Sequence, residues 1–251
     1  MRQLPLLTTL TILAVWLFAM PASAEPRIKT NGCKVYATNR VDPIASTRHL
    51  HHHFGNTQTS NRSTGQSLKN RGRSSCAQEA SWFTSGAWFP LARGVRVERI
   101  AVYYRAPGDQ RQVRSIPTGL KILAHDPIIS NRGRAVTMHF PDCVRKRNGS
   151  PVLDSANHMS HTVFSSKKGR CPSTHPYRIP RISYLIQYAG RVSASTQVSR
   201  GVAQWGRYAD AMHADYLAGN QPVFNKRLIE LCLRKAKDSQ EVAHPDCGKG
   251  P

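Results

Sequence analysis

Three short runs of this sequence concentrate side chains that can move protons or hold a metal ion. The first is His49-Leu50-His51, continuing through His52 and His53. In an extended chain alternate residues share a face, so His49 and His51 would point the same way and could share a ligand or an ion. The second run carries Asp154, His158, His161 and His175 between Cys143 and Cys171-Pro172-Ser173-Thr174-His175. Imidazole is the side chain best suited to proton exchange near neutral pH and the commonest metal ligand. A carboxylate such as Asp154 could orient a neighbouring histidine or ligate a metal beside it. The third run is His213-Ala214-Asp215, whose two polar side chains would also share a face if extended. Hydrogen bonds to loop backbone are the plainer role for each histidine, and helix capping the plainer role for His213 and Asp215. A divalent metal could be held here, and no pattern selects one.

No G-x-S-x-G elbow, H-E-x-x-H run or P-loop occurs, which sets aside the commonest hydrolase and nucleotide motifs. His158 and His161 have a spacing that suits zinc on a helix, but their segment does not read as helical. Trp82, Trp88 and Trp205 could stack on sugar rings or pack in a core.

These groups must be positioned by strands. Short β-branched and aromatic runs bounded by Gly, Pro or Asn fall at residues 96–105, 119–124, 135–140, 161–164 and 182–188. Residues 25–48 read as an irregular or extended lead-in and 58–75 as a polar surface loop. One amphipathic helix stands out, capped by Asn220, opening near Pro222 and carrying Phe224, Leu228, Leu231, Cys232 and Lys235 on one stripe. The expectation is a mainly β chain, an antiparallel β-sandwich or jelly-roll-like body with a C-terminal helix.

The 251 residues begin with Arg2, an apolar run to Met20 and Ala22-Ser23-Ala24, the pattern of a secretory signal peptide over residues 1–24. The remainder, 25–251, reads as one domain, secreted or periplasmic, without stable membrane insertion. Six cysteines, Cys33, Cys76, Cys143, Cys171, Cys232 and Cys247, suit disulfide staples in an exported chain. Cys143 with Cys171 is the first pairing expected, because the two bracket one motif-rich segment. With 36 Lys+Arg against 14 Asp+Glu, the formal charge is +22. Such a surface attracts polyanions of any kind.

Taken in order, these segments resemble a secreted family known only as a domain of unknown function, the one numbered nineteen ninety-six. The resemblance runs from Cys33 and Asp42-Pro43-Ile44 through His49-Leu50-His51, Phe54-Gly55-Asn56-Thr57, Ser67-Leu68, Cys76, Trp88-Phe89-Pro90, Tyr103-Tyr104 and Pro117-Thr118-Gly119-Leu120. It continues through Phe140-Pro141-Asp142-Cys143, Leu153-Asp154-Ser155, His158, His161, Cys171-Pro172 and His175-Pro176, and closes with His213-Ala214-Asp215-Tyr216, covering about residues 33–235. Two positions depart from the family's habit: His52 stands where an acid is usual and Val144 where a tryptophan is common. Some fungal members carry WSC-type or other carbohydrate-binding modules, which implies glycans or walls by association, without a reaction to carry over.

Three functions compete. One is an enzyme acting on acidic or cell-wall polysaccharide, with His158, His161, His175, Asp154, His213 and Asp215 as its catalytic candidates and His49, His51, Asn56 and Trp88 as its binding candidates. Another is a non-catalytic module for wall or extracellular polyanions. The last is a secreted nuclease or phosphodiesterase. Oligomeric state is left open.

Overall fold

The structure, a computed structural model, describes residues 27–45, 48–77, 80–220, 226 and 228–234. The signal-like segment, Lys235 and Cys247 lie outside them. Along the chain the strands are β1 (Arg27–Cys33), β2 (Ala37–Asn39), β3 (His51–Gly55), β4 (Gly86–Pro90), β5 (Val97–Arg105), β6 (Lys121–Ala124), β7 (Ile128–Ile129) and β8 (Ala135–His139). There follow β9 (Cys143–Val144), β10 (Lys146–Arg147), β11 (Ser150–Pro151), β12 (Thr162–Val163), β13 (Tyr177–Arg178), β14 (Arg181–Tyr188), β15 (Gln197–Gly201), β16 (Gln204–Arg207) and β17 (Ala214–Leu217).

Two five-stranded sheets make the body, one in the order β1-β5-β14-β8-β7 and the other β2-β3-β4-β17-β6, every pair antiparallel. Alternation explains their facing. In β14, Ile182, Tyr184, Ile186 and Tyr188 are buried; in β5, Ile100, Val102 and Tyr104 join them. The second sheet answers with Phe54, Ala87, Phe89, Ile122 and Tyr216. The layers meet where Tyr184 stands edge-on to Phe54, with ring centroids 4.8 Å apart, and donates its hydroxyl to the Asp215 carbonyl at 3.0 Å. Edge-to-face aromatic pairs of this kind add about 0.5–1.5 kcal/mol beyond their buried area. The mainly β sandwich expected from the strand runs is what the chain forms.

The second sheet has a further covered side. His53 of β3, Trp88 of β4, Asp215 of β17 and Leu123 of β6 pair in one row across it. Over this outer face Ile44, Leu68, Trp88 and Leu217 form a small second core. Leu68 comes from a short helix, α1 (Gly65–Asn70), inside the stretch expected to be loop. Thr64 caps it: the Thr64 hydroxyl accepts from the Ser67 amide and the Ser67 hydroxyl accepts from the Thr64 amide.

Outside the sandwich, β12-β9-β13 form a three-stranded sheet, β10-β11 and β15-β16 two hairpin-like pairs. Cys143 is bonded to Cys171, the pairing expected first, and Cys33 to Cys76; Cys232 is also in a disulfide. Near the C-terminus a helical stretch, Leu228–Arg234, carries buried Ile229, Cys232 and Leu233. The expected helix start near Pro222 lies outside the described residues; Asn220 itself accepts on Oδ1 from the Thr84 amide and the Ser85 hydroxyl, tying the end of β17 to the loop before β4.

Candidate functional site

The candidate residues gather into two centres beside the second sheet. The first is an open pocket of about 610 Å³ lined by Arg145, Arg147, Val152, Asp154, Ser155, Ala156, His158, Ser160 and His161. Strand β6 supplies its neighbour Lys121, whose amide donates to the Leu153 carbonyl at 2.9 Å and so docks the loop against the sandwich. The loop turns sharply at His158, a residue with φ 56°, in the left-handed region that a non-glycine side chain rarely adopts. Such a conformation needs its surroundings to hold it, and here the His158 amide donates to the Ser155 carbonyl at 2.8 Å.

That turn sets His158 Nδ1 2.8 Å from Asp154 Oδ1, leaving the opposite ring nitrogen, Nε2, as the group away from the carboxylate. Asp154 Oδ2 pairs with Lys121 Nζ at 3.1 Å. Partial burial works against the ionised Asp154 carboxyl, but the hydrogen bonds from His158 and Lys121 outweigh it and hold the group below its usual value. His161 is buried: Nε2 donates to the Lys121 carbonyl at 2.6 Å, and Nδ1 lies 2.9 Å from the Ser155 hydroxyl. Burial lowers its proton affinity, so the neutral ring accepts from Ser155. His175 stands behind the loop, its Nε2 donating to the Ser160 carbonyl at 3.2 Å and its Nδ1 beside the Thr174 hydroxyl. It braces the loop and is not among the pocket's lining residues.

The second centre lies on the covered face of the second sheet. His49 Nε2 is 3.3 Å from His213 Nε2, the His49 and His51 rings have centroids 4.1 Å apart, and Asp215 Oδ2 is 3.6 Å from His213 Nε2. His53 stacks on Trp88, and exposed His125 lies 6.2 Å, centroid to centroid, from His213 at the rim. Asp42 folds the covering segment by accepting the Ile44 and Ala45 amides on Oδ1.

Buried imidazoles resist protonation. Burial, followed by repulsion from His49, brings His213 down to about 4, and burial alone accounts for most of the fall to about 4 at His53. His51 is pushed further down by burial and then by its four histidine neighbours. Asp215 is pushed well up, first by burial and then by the like charge of Asp42. Both nitrogens of His51 and Oδ2 of Asp215 are buried without a hydrogen-bond partner. Leaving one such group unpaired costs about 1–3 kcal/mol.

Two candidates for binding have structural places. Asn56 is fully buried, its amide donating to the carbonyls of Leu68 and Thr84 and its Oδ1 accepting from Gln58. Trp88 lies wholly within the small second core, where its ring faces His53 and not solvent. The residues that sequence reading passed over are Arg145, Arg147, Lys121 and Ser155 at the pocket and His125 at the covered centre. Arginines are so frequent in this chain that two converging on one pocket leave no mark in composition. The hydroxyl at Ser155 could have been read from its place between Asp154 and His158.

Fold and site together define a disulfide-stapled antiparallel β-sandwich with a histidine–carboxylate pocket open at one edge. Residues 129–219 match the family model described as Domain of unknown function (DUF1996), the family that the ordered motifs resemble. That segment holds the whole pocket loop together with His213 and Asp215. No curated protein and no solved structure matches the chain.

Proposed function

We propose that this chain is an exported protein that acts on acidic extracellular or cell-wall polysaccharide, with His158 as its proton-transfer group. The observation that carries this reading is the 2.8 Å contact between His158 Nδ1 and Asp154 in a pocket that two arginines also line. A carboxylate on one ring nitrogen fixes the tautomer and aims the other nitrogen at whatever enters. Arg145 and Arg147 supply what an acidic sugar needs, because a guanidinium pairs with a carboxylate through two parallel hydrogen bonds. Neutralising that carboxylate eases removal of the proton on the adjacent carbon, and it equally eases approach of a water activated by His158. Ser155, whose hydroxyl proton goes to His161, leaves its oxygen to accept from a sugar hydroxyl. The carbohydrate-binding modules carried by some fungal members of the family that the chain resembles also point to glycans, by association alone.

The test is end-group release from a polyuronate, compared with the same polymer after its carboxylates are reduced to alcohols. Release from the acidic form alone supports the reading, and ultraviolet absorbance of the product separates elimination, which leaves an unsaturated sugar, from hydrolysis, which does not. Equal action on both polymers, or none on either, contradicts it. Cleavage of DNA instead would assign the pocket to phosphodiesters.

A second reading, a polyanion-binding module without turnover, is favoured by the +22 formal charge. It predicts retention on acidic polymer with no new ends.

A further inference from the structure

We infer that His49, His51 and His213, with Asp215 beside them, form a binding site for a divalent first-row transition ion of the zinc and copper class. The inference goes beyond the glycan reading and stands on a different part of the fold. One ligand atom from each of the three histidines lies within 4.8 Å of the others. The 3.3 Å between His49 Nε2 and His213 Nε2 equals, to within a few tenths of an ångström, the edge of a tetrahedron with metal–nitrogen bonds of about 2.0–2.1 Å.

The tautomers point the same way. His213 Nδ1 donates to the Ala211 carbonyl at 3.0 Å, so the neutral ring turns its Nε2 lone pair toward His49 and Asp215. A lone pair facing a carboxylate oxygen at 3.6 Å is a repulsive arrangement that a cation between them converts into two bonds. A backbone carbonyl fixing the far nitrogen is also the usual support of a metal-bound histidine. His51 adds a fully buried ring with both nitrogens unpartnered, and Asp215 a buried oxygen in the same condition. A fold that gathers one nitrogen from each of three histidines, the His51 ring unpartnered and the His213 lone pair facing inward, beside an unpartnered buried carboxylate oxygen invites a positive ion.

The donor set narrows its identity. Imidazole and carboxylate without thiolate suit zinc, copper or nickel, and the hard calcium and magnesium ions prefer an all-oxygen shell. Sequence carries the site through two alternations, His49-Leu50-His51 and His213-Ala214-Asp215, brought together because β3 and β17 both pair with β4. Access is from one side, since the His213 side chain keeps 18% of its surface and exposed His125 lies next to it.

The experiment uses the full chain, stripped by chelator and titrated with Zn²⁺ by calorimetry, followed by elemental analysis after gel filtration. One equivalent per chain is expected, with a rise in Tm, and His49→Gln and His213→Gln should each weaken uptake by at least tenfold. His158→Ala should bind as the wild type does, which keeps this site separate from the proposed catalytic one. No uptake by the wild type, or uptake unchanged in both glutamine variants, overturns the inference. If either variant fails to fold, the wild type loaded with Co²⁺ decides the matter. Three paramagnetically shifted imidazole ring systems support the site, and fewer than two overturn it.

Discussion

At the scale of single residues, environment sorts the histidines into different tasks. His158 and His161 are three apart, yet one is oriented by a carboxylate at a pocket and the other is locked between a carbonyl and a hydroxyl. Nothing in their spacing distinguishes them, because the deciding feature is the left-handed turn at His158, a property of the folded loop. The alternation of His49 with His51 and of His213 with Asp215 did carry information. Each pair shares a face, as extended chain requires, and the faces meet.

The same burial makes the chelator-treated protein acid-sensitive. His52, His53 and His213 fall from 6.5 to about 4 on folding. Between those values the unfolded chain takes up protons that the folded chain refuses, so stability falls as pH drops from 6.5 toward 4. Asp154, held below its usual value, adds a loss in the same direction further down, as its carboxylate is protonated. Asp215, pushed up, works the other way, one group against three histidines. Thermal melts of chelator-treated protein should show Tm nearly level above about pH 6.5 and falling below it. A Tm that rises on acidification would contradict these burials.

At the scale of elements, strands with apolar alternation were legible and strands built around polar centres were not. β5, β8 and β14 announce themselves through Ile, Val, Met and Tyr on every second residue. β3 reads as a histidine cluster because His51 and His53 face a buried polar centre in place of an apolar core. β17 is only four residues long with Asp215 inside it, too short to show a period. The helix capped at Thr64 was hidden by its Ser, Asn and Gly composition.

Cys143–Cys171 joins β9 to the loop carrying His175 across a sequence separation of 28. Loop-closure entropy for such a span stabilises the fold by about 3–4 kcal/mol. Replacing both cysteines by serine should lower unfolding free energy by about that amount in denaturant titration. A loss under about 1 kcal/mol would show that the packed β12-β9-β13 sheet holds the segment unaided.

At the scale of the whole molecule, charge and architecture act together. The sandwich buries Arg178 but leaves many arginines on the surface, and a net charge of this size is expected to draw polyanions toward the chain. Among the described residues no helix is long and apolar enough to cross a membrane. Retention on an immobilised polyuronate should weaken steeply as salt rises through the range where surface charges are screened, from about 0.01 to 0.15 M. A flat response would mean that the net charge plays no part in capture. Composition leads one to expect this attraction, but it gives no place for it on the surface. In the proposed reading that place is the pocket that Arg145 and Arg147 line, beside a loop docked on β6.

The most direct test is turnover of a polyuronate by His158→Ala, with folding checked by circular dichroism and Tm. Loss of a positioned proton-transfer group predicts a fall in kcat of about 10²–10⁴-fold, with the fold and affinity for the polymer retained. Wild-type turnover in the folded variant would contradict the account, because no other imidazole in the pocket has a nitrogen held by a carboxylate and the opposite one left for substrate.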